Sequence, residues 1–216
     1  MNTLSYIVDK YNLKIGRQYI VEIPNIGRNN LAELFAELKF KKGAEIGVAL
    51  GEYSEVLCKV NPKLHLFSID PWSVSAYEPE TLNFGKTGRS DFNRAYKEAK
   101  RRLAPYNCSV IRKTSMKALK DHKDNSLDFV YIDGNHDFVN FTNDLHYWSK
   151  KVRKGGIISG HDYIYFPSRN FNHVKRALIA YLWSYGIKPL FIVGAEAVGQ
   201  PGVIRDKTRS WFWIKE

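Results

Sequence analysis

Cysteine is nearly absent from this chain, with two in 216 residues, Cys58 and Cys108. So few exclude a disulfide framework. With Cys58 on a predicted helix and Cys108 opening a predicted strand, they read as small buried hydrophobes rather than a bridge or a metal pair. No window of about 18 apolar residues occurs, so a membrane-spanning helix is not expected. The first residues, MNTLSYIVDK, carry no apolar stretch followed by a small-residue cleavage site, so the expected location is cytoplasmic. Internal repeats and low-complexity tracts are also missing. What remains is an ordinary globular composition, 44% hydrophobic and 14% aromatic, in a length that suits one domain over 1–216.

Negative charge is in short supply as well: 33 Lys and Arg against 22 Asp and Glu leave a formal +11. The cations are spread along the chain, around Lys41, Lys100, Lys151 and Lys207, and several fall in the last turn of a predicted helix, where they complement the macrodipole. A solvated basic surface is the plain reading; an anionic substrate or partner, nucleic acid included, is the alternative.

Strand and helix periods alternate along most of the chain. A helix is predicted after Asn29 or Asn30, with Leu31, Leu34, Phe35 and Leu38 at i, i+3, i+4, i+7. Residues 1–40 thus form an N-terminal helical cap. Strands follow at 44–48, 63–70, 108–113, 126–133 and 155–163, with two closing strands in KPLFIVG and SWFWIKE. Between them lie helices at 54–60, along Phe92 to Leu103, along Phe141 to Val152 with a stop at Gly155-Gly156, and at 173–185. The polar stretch 73–90 is too long for an ordinary connection and is a candidate lid. The expected fold class is α/β, a doubly wound, mostly parallel sheet covered on both faces, in which ligands sit outside the carboxyl ends of the strands.

A glycine-rich turn follows the first of these strands, in AEIGVALGEYS. A dinucleotide fingerprint starting at Gly47 requires glycine at 49, where Ala49 stands, and a small residue at 52, where Glu52 would face a pyrophosphate. No Gly-Lys-Ser/Thr closes the turn either. A phosphate cradle is therefore excluded, and the pattern Glu45-x-Gly47-x-x-x-Gly51 suits a ligand with an amino-acid tail, its ammonium near Glu45 and its carboxylate near the helix start. Asp70, ending the next strand in FSIDPW, is placed to accept from two ribose hydroxyls, with Trp72 as an apolar wall for adenine. Tail, ribose and adenine together describe S-adenosylmethionine.

With these residues, and with FVYIDGNHDF and RKGGIISGHDY, the chain over roughly 30–215 resembles the class I S-adenosylmethionine-dependent methyltransferases. It looks most like their small-molecule O-methyltransferase group, related to macrolide-sugar and catechol-type enzymes. The resemblance implies a seven-stranded Rossmann-like sheet with the last strand antiparallel. It assigns Glu45, Gly47, Gly51 and Ser54 to the glycine motif, Asp70 to the ribose, Ser115 and Met116 to the adenine-contacting turn, and Asp133 to a place beside the transferred methyl.

Methyl transfer to a hydroxyl needs alignment and removal of a proton. His161 is the first choice of base and His136 the second, because imidazole titrates near neutral pH. A divalent metal that lowers the hydroxyl pKa is the other solution. Related enzymes hold Mg²⁺ with an Asp and an acidic pair; here Asp133 and Asp162 match, while His161 replaces the first acid of the pair. The expected acceptor is a small molecule or glycan. RNA ribose or cap methylation is the alternative that the charge suggests, although Asp133-Gly134-Asn135-His136 lacks the Pro-Pro-aromatic signature of base-amino methylation. The oligomeric state stays open, a dimer among the options.

Overall fold

The computed structural model describes residues 2–73, 89–165, 172–194, 206 and 208–216. They form one eight-stranded sheet between two layers of helices. In chain order the elements are α1 (Thr3–Lys10), β1 (Ile20–Ile23), α2 (Arg28–Glu37), β2 (Lys42–Ile46), α3 (Glu52–Val60), β3 (His65–Ile69), α4 (Arg89–Leu103), β4 (Cys108–Ile111) and the short α5 (Ser115–Ala118). Then come β5 (Leu127–Ile132), α6 (Phe138–Lys151), β6 (Val152–Gly160), α7 (Val174–Tyr185), β7 (Leu190–Val193) and β8 (Ser210–Ile214).

The strand order is β1-β7-β8-β6-β5-β2-β3-β4, and every pairing is parallel except those of β8 with β6 and β7. The doubly wound plan and its antiparallel last strand are as expected, but the sheet has eight strands, not seven. The additional strand is β1, which pairs parallel with β7 from Ile20↔Leu190 to Ile23↔Val193. It lies inside the segment read as a purely helical cap. Four residues of an edge strand leave only a short alternation to read, Val21 and Ile23 in, Ile20 and Glu22 out.

Alternation also divides the core. Phe129 and Tyr131 of β5 pack with Phe35, Tyr53, Leu57 and Phe191 under α2 and α3, whereas Val130 and Ile132 pack with Phe141, Leu145, Trp148 and Leu178 under α6 and α7. Both cysteines are free, Cys58 buried and Cys108 partly so. Among the described residues no helix is long and apolar enough to cross a membrane.

Two local expectations change. The N-cap of α2 is Gly27, and Asn30 sits at the third helical position with its side chain accepting the Gly27 N–H at 3.0 Å. Gly155 and Gly156 do not stop α6, which passes directly into β6; they lie where the β5–β6 register shifts between Val152↔Leu127 and Ile157↔Phe129. The candidate lid, 73–90, lies almost wholly outside the described residues.

The strand order reverses between β2 and β5, which pair parallel: the chain runs outward from β2 through β3 to β4, then returns to β5 on the other side of β2. A crevice outside the carboxyl ends of these strands is the place where such a sheet holds a ligand.

Candidate functional site

On the β2–β3 side the site is built from backbone. After Ile46 the chain turns through Gly47 (φ +87°), Ala49 (φ +48°) and Gly51 (φ +78°) into α3. A Cβ at Gly47 would lie 2.1 Å from the Asp133 carbonyl oxygen, so only glycine lets this turn close onto the end of β5. Gly51 is the N-cap of α3 and makes no side-chain cap, so the first-turn N–H groups have no capping side chain. Asp70 holds the turn: one carboxylate oxygen accepts from Val48 and Ala49 N–H at 3.0 and 3.1 Å, the other from Trp72 N–H at 2.7 Å. Burial raises the Asp70 pKa, opposed by these backbone donors. Trp72 itself is buried against Val48, Ala99 and Leu103, with its indole N–H donating to Ala49 O at 2.8 Å.

Beneath the turn Glu45 is buried, only 2% exposed. Ser54 Oγ donates to its carboxylate, and Ser54 and Ser68 share a hydrogen bond of 2.6 Å. Burial drives the Glu45 pKa well above the ordinary carboxylate range; the Ser54 hydrogen bond opposes this only in part. A cation placed beside Glu45 would oppose that rise and favour its charged form.

On the β5–β6 side the site is built from side chains. His136 Nε2 stands 3.1 Å from Asp162 Oδ2 and 3.4 Å from Asp133 Oδ1, without the alignment of a full hydrogen bond to either. Its Nδ1 lies 3.3 Å from the Asn172 side-chain nitrogen. Burial works to lower the His136 pKa, but Asp133 and Asp162 outweigh it and hold the ring above its ordinary value. Asp162 has φ +63°, a strained left-handed backbone that turns its carboxylate toward His136. His161 is tied on the far side, with Nε2 2.9 Å from the buried Asp206, while Nδ1 is 3.8 Å from both Asp133 and Asp162. Burial again works to lower its pKa, and Asp206 with Asp133 raises it overall.

Between the two sides lies a cavity of about 520 Å³. Glu45, Gly47, Asp70, Trp72, Asp133, His136 and Asp162 all line it. Gly51 and Ser54 support it from behind, through the start of α3 and the Glu45 carboxylate. Three of the predicted residues do not reach it. His161 points to Asp206. Ser115 donates to the buried Asp144, because Thr114 caps α5 by accepting the Lys117 N–H and so turns Ser115 toward α6. Met116 packs against the core under α6. Of the remaining histidines, His122 packs against Phe67 and Trp148, and His65 bonds Ser109.

Sequence reasoning missed three residues. Arg28, at the start of α2, lines the cavity with Nη1 4.0 Å from Asp133 Oδ2. Asn172 reaches His136, and Asp206 reaches His161, each from a distant segment with no motif to mark it. The lining is acidic despite the basic chain: it holds Glu45, Glu52, Asp70, Asp91, Asp133 and Asp162 beside a single cation, Arg28, among the described residues. The ligand atoms of Asp133, His136 and Asp162 lie within 4.8 Å of one another, close enough to hold one cation. Mg²⁺ takes oxygen ligands, so an imidazole in the set fits it poorly and suits a softer divalent ion better.

A family described as "Methyltransferase domain" matches residues 44–163, more than half of the chain. No curated protein matches it by sequence. Among solved structures, the O-methyltransferase TomG from Streptomyces achromogenes, involved in tomaymycin synthesis and crystallised with SAM, is 15% identical; the match covers 100% of this chain and 91% of that one, with a TM-score of 0.58. An O-methyltransferase from Bacillus cereus in complex with SAH is also 15% identical, with the same coverage and a TM-score of 0.57. A precorrin 8w decarboxylase from Methanobacterium thermoautotrophicum is 14% identical over 86% of this chain and 87% of that one, with a TM-score of 0.53. One fold thus carries more than one chemistry, and the reaction has to be argued from the site.

Proposed function

The chain belongs to the methyltransferase-domain family, and from that premise we propose that it moves a methyl group from S-adenosylmethionine to a hydroxyl of a small molecule or sugar. One observation carries the reading: Glu45, Gly47, Asp70, Trp72 and Asp133 line a single cavity at the carboxyl ends of the strands. The acidic lining suits a ligand with a sulfonium and an ammonium. Asp70 uses three of its roughly four lone-pair sites on backbone N–H groups, leaving room for a ribose hydroxyl. Trp72 offers its wall to adenine, and Glu45 lies under the ammonium. The bound SAM and SAH of the two O-methyltransferase structures support the same ligand here.

When bound, the cofactor supplies an electrophilic methyl carbon: the acceptor oxygen forms the new O–C bond while the S–C bond breaks and its electron pair stays on sulfur. The chain's own work is to align these atoms and to take the hydroxyl proton. We assign that proton to His136 rather than His161, because His136 lines the cavity whereas His161 is turned to Asp206. Asp133 and Asp162 stabilise the imidazolium that forms. The same two carboxylates and His136 would hold a divalent cation, which would lower the hydroxyl pKa.

An acid-lined cavity works against entry of a phosphate chain, which favours the small-molecule reading over RNA methylation. The test is formation of S-adenosylhomocysteine from S-adenosylmethionine with panels of phenols, sugars and RNA. Turnover with a phenol or sugar, unchanged by EDTA, is expected. Turnover with RNA alone would overturn the acceptor class, and loss of activity in EDTA would put the metal back into the reaction.

A further inference from the structure

We propose that Arg28 binds the carboxylate of the cofactor's amino-acid tail. This deepens the reading above and rests on it. The tail carries two opposite charges on neighbouring atoms, so its receptors must stand side by side. For the ammonium the cavity has carboxylates in excess. For the carboxylate it has a problem, because six acidic side chains line the space it must enter. Among the described residues, Arg28 is the one lysine or arginine in that lining.

The side chain is held ready for this role. Its guanidinium lies over the Tyr53 ring, 5.3 Å from the centroid, and the Tyr53 hydroxyl donates to the Arg28 carbonyl oxygen at 2.8 Å. Tyr53 is in the first turn of α3, so the two contacts fix Arg28 beside the helix start where first-turn N–H groups also favour an anion. Toward Asp133, Nη1 stops at 4.0 Å, beyond hydrogen-bond range. Among the described residues the guanidinium makes no hydrogen bond, so its fork of donors is open to a planar carboxylate. Arg28 and the carboxylates beside it in the lining, Glu45 and Asp133 among them, give the tail a receptor for each charge.

The test is calorimetric and compares two ligands on intact protein: S-adenosylhomocysteine, and its decarboxylated analogue, which keeps the ammonium but lacks the carboxylate. Arg28→Gln is expected to weaken S-adenosylhomocysteine about 10- to 100-fold, the scale of a charge-assisted hydrogen-bond pair. The decarboxylated analogue should bind wild type and variant alike, which also reports that the variant is folded. Arg28→Lys should recover part of the loss. Equal binding of S-adenosylhomocysteine to wild type and Arg28→Gln would overturn the inference while leaving the methyltransferase reading intact, and so would an equal loss for both ligands. If wild type bound neither ligand, the cofactor reading itself would fail and take this inference with it.

Discussion

The two sides of the cavity are built on opposite plans. On the β2–β3 side, Asp70 binds three backbone N–H groups, Gly47 and Gly51 allow close approach, and Glu45 is locked to Ser54. On the β5–β6 side, His136 stands 3.4 Å from Asp133 and 3.1 Å from Asp162 without a fully aligned hydrogen bond to either, while His161 turns away to Asp206. A seat needs fixed geometry, and backbone hydrogen bonds around one carboxylate provide it. A reacting side needs groups that exchange protons, and side chains with incomplete partners provide them.

Breaking the reacting side should have the largest effect. His136→Ala is expected to lower kcat by about 10²- to 10⁴-fold, the usual contribution of a general base, while S-adenosylhomocysteine affinity changes little. Steady-state kinetics beside calorimetry checks this, and parallel losses of rate and affinity would mean that the two sides are not separate. Breaking the join between the sides comes next. Gly47→Ala adds a Cβ 2.1 Å from the Asp133 carbonyl oxygen at φ +87°, and should cost at least about 2–3 kcal/mol in denaturant unfolding. A near-neutral Gly47→Ala would show that the turn and β5 are not in contact.

A third change probes the support under the reacting side. Asp144 takes the Ser115 hydrogen bond, and its carboxylate lies 3.6 Å from where a Cβ on Gly134 would be. Burial pushes the Asp144 carboxyl up to about 7. The folded state then holds a proton that the unfolded state has lost, so this group's contribution to stability falls as pH rises from the ordinary carboxylate range through about 7. Thermal melts between pH 5.5 and 7 should show wild type losing roughly 1–2 kcal/mol relative to Asp144→Asn. Parallel curves would contradict the buried, proton-holding state. The smallest change is expected at His161, whose ring is turned to Asp206: His161→Ala should lower kcat less than about tenfold. A loss there equal to that of His136→Ala would move the base to the second histidine.

The same contrast explains what could be read from the sequence. Glu45, Gly47, Gly51, Ser54 and Asp70 sit on two consecutive strand–turn segments, where spacing and residue type together expose their geometry. Asp133 and His136 share one tetrapeptide and were legible for the same reason. Arg28, Asn172 and Asp206 were not, because each meets the site only through the closed sheet and belongs to no local pattern. Ser115 and Met116 were named by resemblance alone; Ser115 bonds Asp144 and Met116 packs against the core, contacts that no local pattern announces. Strand β1 escaped because an edge of four residues has too short a period to stand out.

The backbone-held side is proposed to seat S-adenosylmethionine through Asp70. Calorimetric titration of S-adenosylhomocysteine into wild type and Asp70→Ala tests it most directly. Saturable binding to wild type is expected, with a loss of at least about tenfold in the variant, which forfeits both the ribose acceptor and the anchor of the glycine turn. No heat with wild type, or equal affinity in Asp70→Ala, would contradict it.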